Sequence, residues 1–121
     1  MRTVLLVEDN RDVLESTAYM LEDAGYEVVA ANGSEQAIQV AAVRADIGVI
    51  VADLDLNEGM SGIELGMAMY EDGLKCPLIV MSGHAEPPEH GLLSWMTYLP
   101  KPFDRKALLA AITGNMQPAT T

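Results

Sequence analysis

Short apolar runs alternate with stretches of helical spacing along most of the chain. Val4 to Val7 is a continuous apolar run that stops at Glu8-Asp9-Asn10, the mark of a strand buried on both faces. Between residues 12 and 24, Val13, Leu14, Ala18, Leu21 and Ala24 share one helical face. Asp12 and Glu15 have capping-box spacing, and Gly25 stands where a residue just past a helix end belongs. Glu27 to Ala31 predicts a second strand, Asn32-Gly33 a turn, and Ser34 the cap of a helix carrying Ile38, Ala41 and Ala42. Ile47 to Ala52 is a third apolar run, closed by Asp53. Ser61 and Glu64 form a second capping box, opening a helix to about Tyr70 that Gly73 closes. Leu78 to Met81 predicts strand four, ending at Ser82-Gly83, and Thr97 to Leu99 a weak fifth strand before Pro100-Lys101-Pro102. Asp104 is placed to cap a last helix with Leu108, Leu109 and Ile112, and residues 114 to 121 read as a frayed tail.

Apolar strands alternating with helices predict βαβ units, hence an α/β fold with a parallel sheet covered on both faces. No repeat, low-complexity stretch or linker divides the chain, so its 121 residues read as one domain, burying about two-thirds of the unfolded surface. Half the residues are hydrophobic, enough for a packed core. The net charge of −11, with no Lys/Arg cluster, argues against nucleic acid as a direct partner and against an anionic membrane. No apolar run approaches the roughly 20 residues of a membrane span, and the opening MRTVLLV is too short for a secretory signal. A cytoplasmic protein is expected. The single cysteine, Cys76, allows no internal disulfide and reads as a small buried hydrophobe.

The polar residues at the strand ends carry the chemistry. Open parallel sheets bind ligands beyond the carboxyl ends of their strands, where strand order reverses. Here those ends hold Glu8 and Asp9, then Asp53 and Asp55, then Ser82, then Lys101. Clustered carboxylates repel one another unless a cation joins them, and an oxygen-only donor set suits Mg2+, which keeps several waters and also takes phosphate oxygens. A lysine and a hydroxyl beside such a site fit phosphoryl chemistry. One carboxylate is then a candidate nucleophile that would form an aspartyl-phosphate.

The segments "LLVEDN", "VIVADLDL" with "GMSG", "IVMSGHA" and "YLPKPF", in that order, resemble the response-regulator receiver domain of two-component signalling. The resemblance covers residues 2 to about 114 and implies a CheY-like, flavodoxin-like (βα)5 fold, a doubly wound five-stranded parallel sheet in order 2-1-3-4-5. It implies phosphorylation of Asp53 from a sensor histidine kinase or a histidine phosphotransfer protein, with Mg2+ required. Asp9 matches the direct metal ligand, Glu8 the acidic neighbour that holds the metal through water, and Asp55 the position whose backbone carbonyl binds it. Ser82 matches the switch hydroxyl, Tyr98 the aromatic switch and Lys101 the phosphate-binding lysine, with a Lys101-Pro102 bond of the kind that is cis in the family.

The chain departs from the family pattern in two places. The stretch from Asp53 to Gly62 is one residue longer than usual; an insertion at Glu58-Gly59 keeps Asp53 at the strand end, whereas counting back from the glycine would land on Leu54. Asn57 replaces the customary proline and Ser61 the aspartate before the glycine. The second departure is the segment from Ser82 to Lys101, which is about one helical turn short and contains Pro87-Pro88 and Gly91. A short, shifted or partly unwound fourth helix is therefore expected, from Pro88 to about Met96. Trp95 and Met96 read as core or as part of a partner surface, and His84 and His90, which lack ligand spacing, as solvent-facing. The expected reading is a stand-alone receiver domain over residues 1–116 with a tail at 117–121, signalling through a downstream protein partner, with its output face formed by residues 83–98 and the last helix. Two alternatives remain: a haloacid-dehalogenase-like phosphatase using Asp53 and Asp55, and an adaptor that keeps the fold without phosphorylation.

Overall fold

The computed structural model describes residues 3–56, 60–83 and 92–115. Five strands, β1 (Thr3–Val7), β2 (Glu27–Ala31), β3 (Ile47–Asp53), β4 (Leu78–Ser82) and β5 (Met96–Pro100), form one sheet in the order β2-β1-β3-β4-β5. Every neighbouring pair is parallel. Among the described residues the helices are α1 (Arg11–Asp23), α2 (Ser34–Val43), α3 (Gly62–Glu71) and α4 (Arg105–Asn115).

The continuous apolar strands arise because successive side chains leave opposite faces and both faces are covered. Val4, Leu6, Val49, Val51, Ile79 and Met81 pack with Leu21 of α1 and with Leu108 and Ile112 of α4. On the other face, Leu5, Val7, Ile50, Ala52 and Val80 pack with Ala37 of α2 and with Leu65 and Met69 of α3. Burying nearly all of β1, β3 and β4 fixes their register, since a one-residue slip would exchange the two faces. β1 lies between β2 and β3, so strand order reverses there, and the site forms at the carboxyl ends of β1 and β3.

Several local expectations are corrected. α1 is capped by Asn10, whose side chain accepts from the Val13 N–H at 3.1 Å, not by Asp12. The Asn10 backbone N–H donates to Glu8, which holds Asn10 extended so that the helix starts at Arg11; Glu15 pairs with Arg11 instead. Ser34 is already helical and buried, and the N-cap is Gly33 with no side-chain cap. The preceding Asn32 N–H is taken by Gln36 Oε1 at 2.8 Å. The Ser61–Glu64 capping box forms as expected, and Asp104 accepts from the Ala107 N–H. α4 runs to Asn115, so residues 114 and 115 belong to the helix and not to a tail.

β5 begins at Met96, one residue early, because the Leu78 N–H donates to the Trp95 carbonyl and extends the β4 pairing. The described part of the expected fourth helix is accordingly not helical: Leu92 and Leu93 are irregular, Ser94 and Trp95 form a turn, and Met96 is strand. Residues 57–59, with the expected insertion, 84–91, with both histidines, and 116–121 lie outside the described residues.

Candidate functional site

Asp53 is the last residue of β3 and is 7 % exposed. Its backbone is fixed from two sides. The next amide, Leu54 N–H, donates to the Met81 carbonyl at 2.7 Å, and the Leu54 carbonyl accepts from Gly62 N–H at 3.0 Å. Gly62 lies against the Asp53 carbonyl so closely that a β-carbon there would stand 2.3 Å from that oxygen. A side chain at position 62 would therefore displace the end of β3, which gives the Gly-start of α3 a reason beyond helix capping.

Both carboxylate oxygens of Asp53 accept hydrogen bonds. Oδ1 takes the Asp55 N–H at 3.1 Å, and Oδ2 takes the Lys101 ammonium at 3.0 Å. The same ammonium lies 2.8 Å from Glu8 Oε1. Lys101 follows β5 directly. Its N–H donates to the Ser82 carbonyl at 2.6 Å, and the Lys101-Pro102 bond is cis. Glu8 is only 1 % exposed, and its second oxygen accepts the Asn10 N–H. The candidate residues at the ends of four strands thus meet on one rim.

Burial pushes the Glu8 carboxyl above its ordinary range; the Lys101 ammonium pulls the other way and the nearby Asp53 adds to the rise. Burial works against the charge on Lys101, but its hydrogen bonds to Glu8 and Asp53 outweigh that and raise its pKa. Glu8, Asp9 and Asp53 each bring a carboxylate oxygen within 4.8 Å of the others. An all-oxygen, acidic cluster of this kind fits a hard divalent cation, and Mg2+ in particular.

Ser82, Asp55 and Tyr98 complete the expected set. Ser82 ends β4 and is fully buried. Asp55 is exposed, beyond the strand, and reaches Asp53 through its backbone N–H. Tyr98 is half-buried in β5 opposite Val80. The direct Glu8–Lys101 pair joins positions 93 residues apart, and the contact of Gly62 with Asp53 depends on how the start of α3 packs against the end of β3, so neither has a signal in the residue pattern.

A doubly wound parallel sheet with a carboxylate cluster, a lysine and a hydroxyl at its switch point defines a phosphate-handling α/β domain. Residues 4–113 match the response regulator receiver domain, and the chain belongs to that family, the phosphoacceptor modules of two-component signalling. It is 35 % identical over 116 residues to the transcriptional regulatory protein FixJ of Azorhizobium caulinodans, covering 93 % of this chain and 54 % of FixJ. It is 31 % identical over 112 residues to the cell cycle response regulator CtrA of Brucella ovis, covering 90 % of this chain and 47 % of CtrA. The chain therefore spans about half the length of these relatives. The fold superposes on the chemotaxis protein CheY4 of Vibrio cholerae with a TM-score of 0.85 at 26 % identity, over 96 % of this chain and 99 % of that one. Receiver membership takes the place of the phosphatase alternative.

Proposed function

We propose that this domain, residues 1–116, accepts a phosphoryl group on Asp53 from a phosphohistidine of a sensor kinase or a histidine phosphotransfer protein. The Lys101 ammonium, hydrogen-bonded to Asp53 Oδ2 and Glu8 Oε1, is the observation that carries this reading. A carboxylate held between a backbone N–H and an ammonium at a strand end is oriented for attack and has a cation already beside it. In the step, an Asp53 oxygen forms the new P–O bond as the P–N bond breaks. The electron pair leaves on the histidine nitrogen, and the Lys101 charge offsets the negative charge carried by the phosphoryl oxygens. Lysine suits this role because its ammonium is a compact point charge that needs no planar fork.

Glu8, Asp9 and Asp53, with the Asp55 backbone carbonyl, are the groups that would hold Mg2+, which when bound supplies charge neutralisation to the phosphoryl oxygens. Ser82 is read as the hydroxyl that moves toward the new phosphoryl group, which adds about −1.5 to −2 charge at the rim. Tyr98, on the neighbouring strand, would follow it and carry the change to a downstream protein partner. An apolar cleft of about 430 Å3 between α1 (Val13, Thr17, Met20) and Pro102-Phe103 has Lys101 in its wall. It is a candidate seat for the phosphodonor, because Lys101 both lines it and bonds Asp53. No described helix is long and apolar enough to cross a membrane, and a cytoplasmic setting fits a kinase-fed signalling domain.

Intact mass spectrometry after incubation with acetyl phosphate tests the function. One phosphoryl mass per chain is expected with Mg2+ and none with EDTA; unmodified protein in both would leave the adaptor reading standing.

A further inference from the structure

We infer that Tyr70 and Trp95 are positioning residues for Lys101: their stacked rings hold the start of β5 on α3 and so set where the lysine at the other end of that strand meets Asp53. This rests on the acceptor reading above.

β5 needs such an anchor. It is an edge strand with β4 as its one neighbour in the sheet, and its five residues, MTYLP, carry a weak hydrophobic pattern. Met96 is buried in one face of the core and Leu99 in the other, while Thr97 and Tyr98 are half-buried and Pro100 is exposed. With one buried residue per face, β5 relies on its ladder to β4 and on contacts beyond the strand for its register. A two-residue slip keeps side chains on their faces, yet it moves the strand by about 7 Å. Lys101 would then be carried out of reach of both Glu8 and Asp53.

The anchor lies six positions before Lys101, roughly 20 Å along an extended chain. The rings of Tyr70 and Trp95 stack with centroids 4.4 Å apart and planes inclined by 15°. The Lys75 ammonium sits 4.1 Å from the centroid of the Tyr70 ring and also donates to the Tyr70 carbonyl. A cation on the Tyr70 ring and an aromatic neighbour stacked with it restrict that ring strongly. Trp95 is further tied by its carbonyl, which accepts the Leu78 N–H at 3.0 Å, and Met96 N–H closes a turn onto the Leu93 carbonyl. Tyr70 belongs to α3, the helix whose first residue, Gly62, lies against the Asp53 carbonyl. One rigid element therefore touches both the acceptor at one end and the β5 anchor at the other. The backbones that carry the carboxylate cluster belong to β1 and β3 and to the loop after each, so a shift of β5 withdraws the Lys101 charge from the cluster without removing its carboxylates.

That separation gives a test. Labelling rate from acetyl phosphate and Mg2+ affinity are measured for the wild type, Trp95→Ala, Tyr70→Leu and Trp95→Phe, with Asp53→Asn as the acceptor control. Misplacing a reacting or stabilising group by about 1 Å costs up to about a hundredfold in rate. Trp95→Ala and Tyr70→Leu should therefore label at least about tenfold more slowly, while Mg2+ affinity is kept or raised, because the carboxylates lose a competing cation. Trp95→Phe, which keeps a stacking ring, should recover most of the rate. Unchanged labelling in Trp95→Ala and Tyr70→Leu would overturn the inference. So would a parallel loss of Mg2+ affinity or a failure of Trp95→Phe to rescue, because those mark a general loss of structure. Continued labelling of Asp53→Asn would instead strike the acceptor reading on which the inference rests.

Discussion

Lys101 Nζ lies 3.0 Å from Asp53 Oδ2 across a sequence separation of 48 residues, and the same ammonium reaches Glu8 at 2.8 Å. Glu8 is almost fully buried, so the lysine serves two purposes: it neutralises a carboxylate the fold has taken out of water, and it places a positive charge beside Asp53. Lys101→Ala should therefore leave the sheet formed but lower stability at pH 7 by about 2 kcal/mol, the cost of a buried charged group that loses its partner. Urea unfolding monitored by circular dichroism checks this. A variant as stable as the wild type would mean that Glu8 does not need the lysine.

The buried Glu8 carboxyl also gives a pH dependence with a defined sign. Its folded-state pKa is raised above the ordinary value of 4.5, so between the two values the folded chain holds more protons than the unfolded one. The stability it contributes is fully present below pH 4.5 and is lost as pH rises through the raised folded value. In EDTA, the melting temperature of the wild type should fall relative to that of Glu8→Gln as pH is raised from 4.5 toward neutrality. Parallel curves for the two proteins would contradict the assignment of the shift to Glu8.

Gly62→Ala should be harmful although alanine is the better helix former. Its β-carbon would meet the Asp53 carbonyl oxygen at 2.3 Å and the Asp53 carbonyl carbon at 2.9 Å. Backbone cannot yield as a side-chain tip can, so a loss of about 1–3 kcal/mol is expected, together with slower phosphorylation as the end of β3 shifts. Chemical denaturation and acetyl phosphate labelling of one preparation read both effects.

The cap of α1 falls to Asn10, although the spacing of the sequence points to Asp12. Asn10→Ala removes the acceptor of the Val13 N–H and should cost about 1 kcal/mol. Asp12→Ala touches a first-turn acid that caps nothing, and should cost only about 0.3–1 kcal/mol through the helix dipole. A larger loss from Asp12→Ala than from Asn10→Ala in thermal melts would contradict the cap at Asn10.

The contrast between these positions shows what the sequence could carry. β1, β3 and β4 were legible because burial on both faces leaves a run of apolar residues with no polar interruption. The Ser61–Glu64 box was legible because both hydrogen bonds lie within four residues. The start of α1 is not legible locally, because Asn10 is held by Glu8, a side chain placed by the sheet and not by the helix. The residues before β5 were expected as the end of a helix, yet Trp95 stacks on Tyr70 and its carbonyl pairs with Leu78. Tertiary partners of that kind leave no local periodicity. Strand-end order brought Glu8, Asp53, Ser82 and Lys101 to one rim, but the Glu8–Lys101 pair and the Gly62 contact needed three dimensions.

Asp53 is the proposed acceptor, and Asp55 is its nearest rival. Asp53 ends a buried strand and is held by Lys101, while Asp55 lies two residues beyond and is exposed. Borohydride reduces an aspartyl-phosphate to homoserine, leaving a stable mark that peptide mapping can locate. After phosphorylation by acetyl phosphate in Mg2+ and reduction, homoserine should appear at position 53 alone, and Asp53→Asn should give none. Homoserine at position 55, or its persistence in Asp53→Asn, would contradict the assignment.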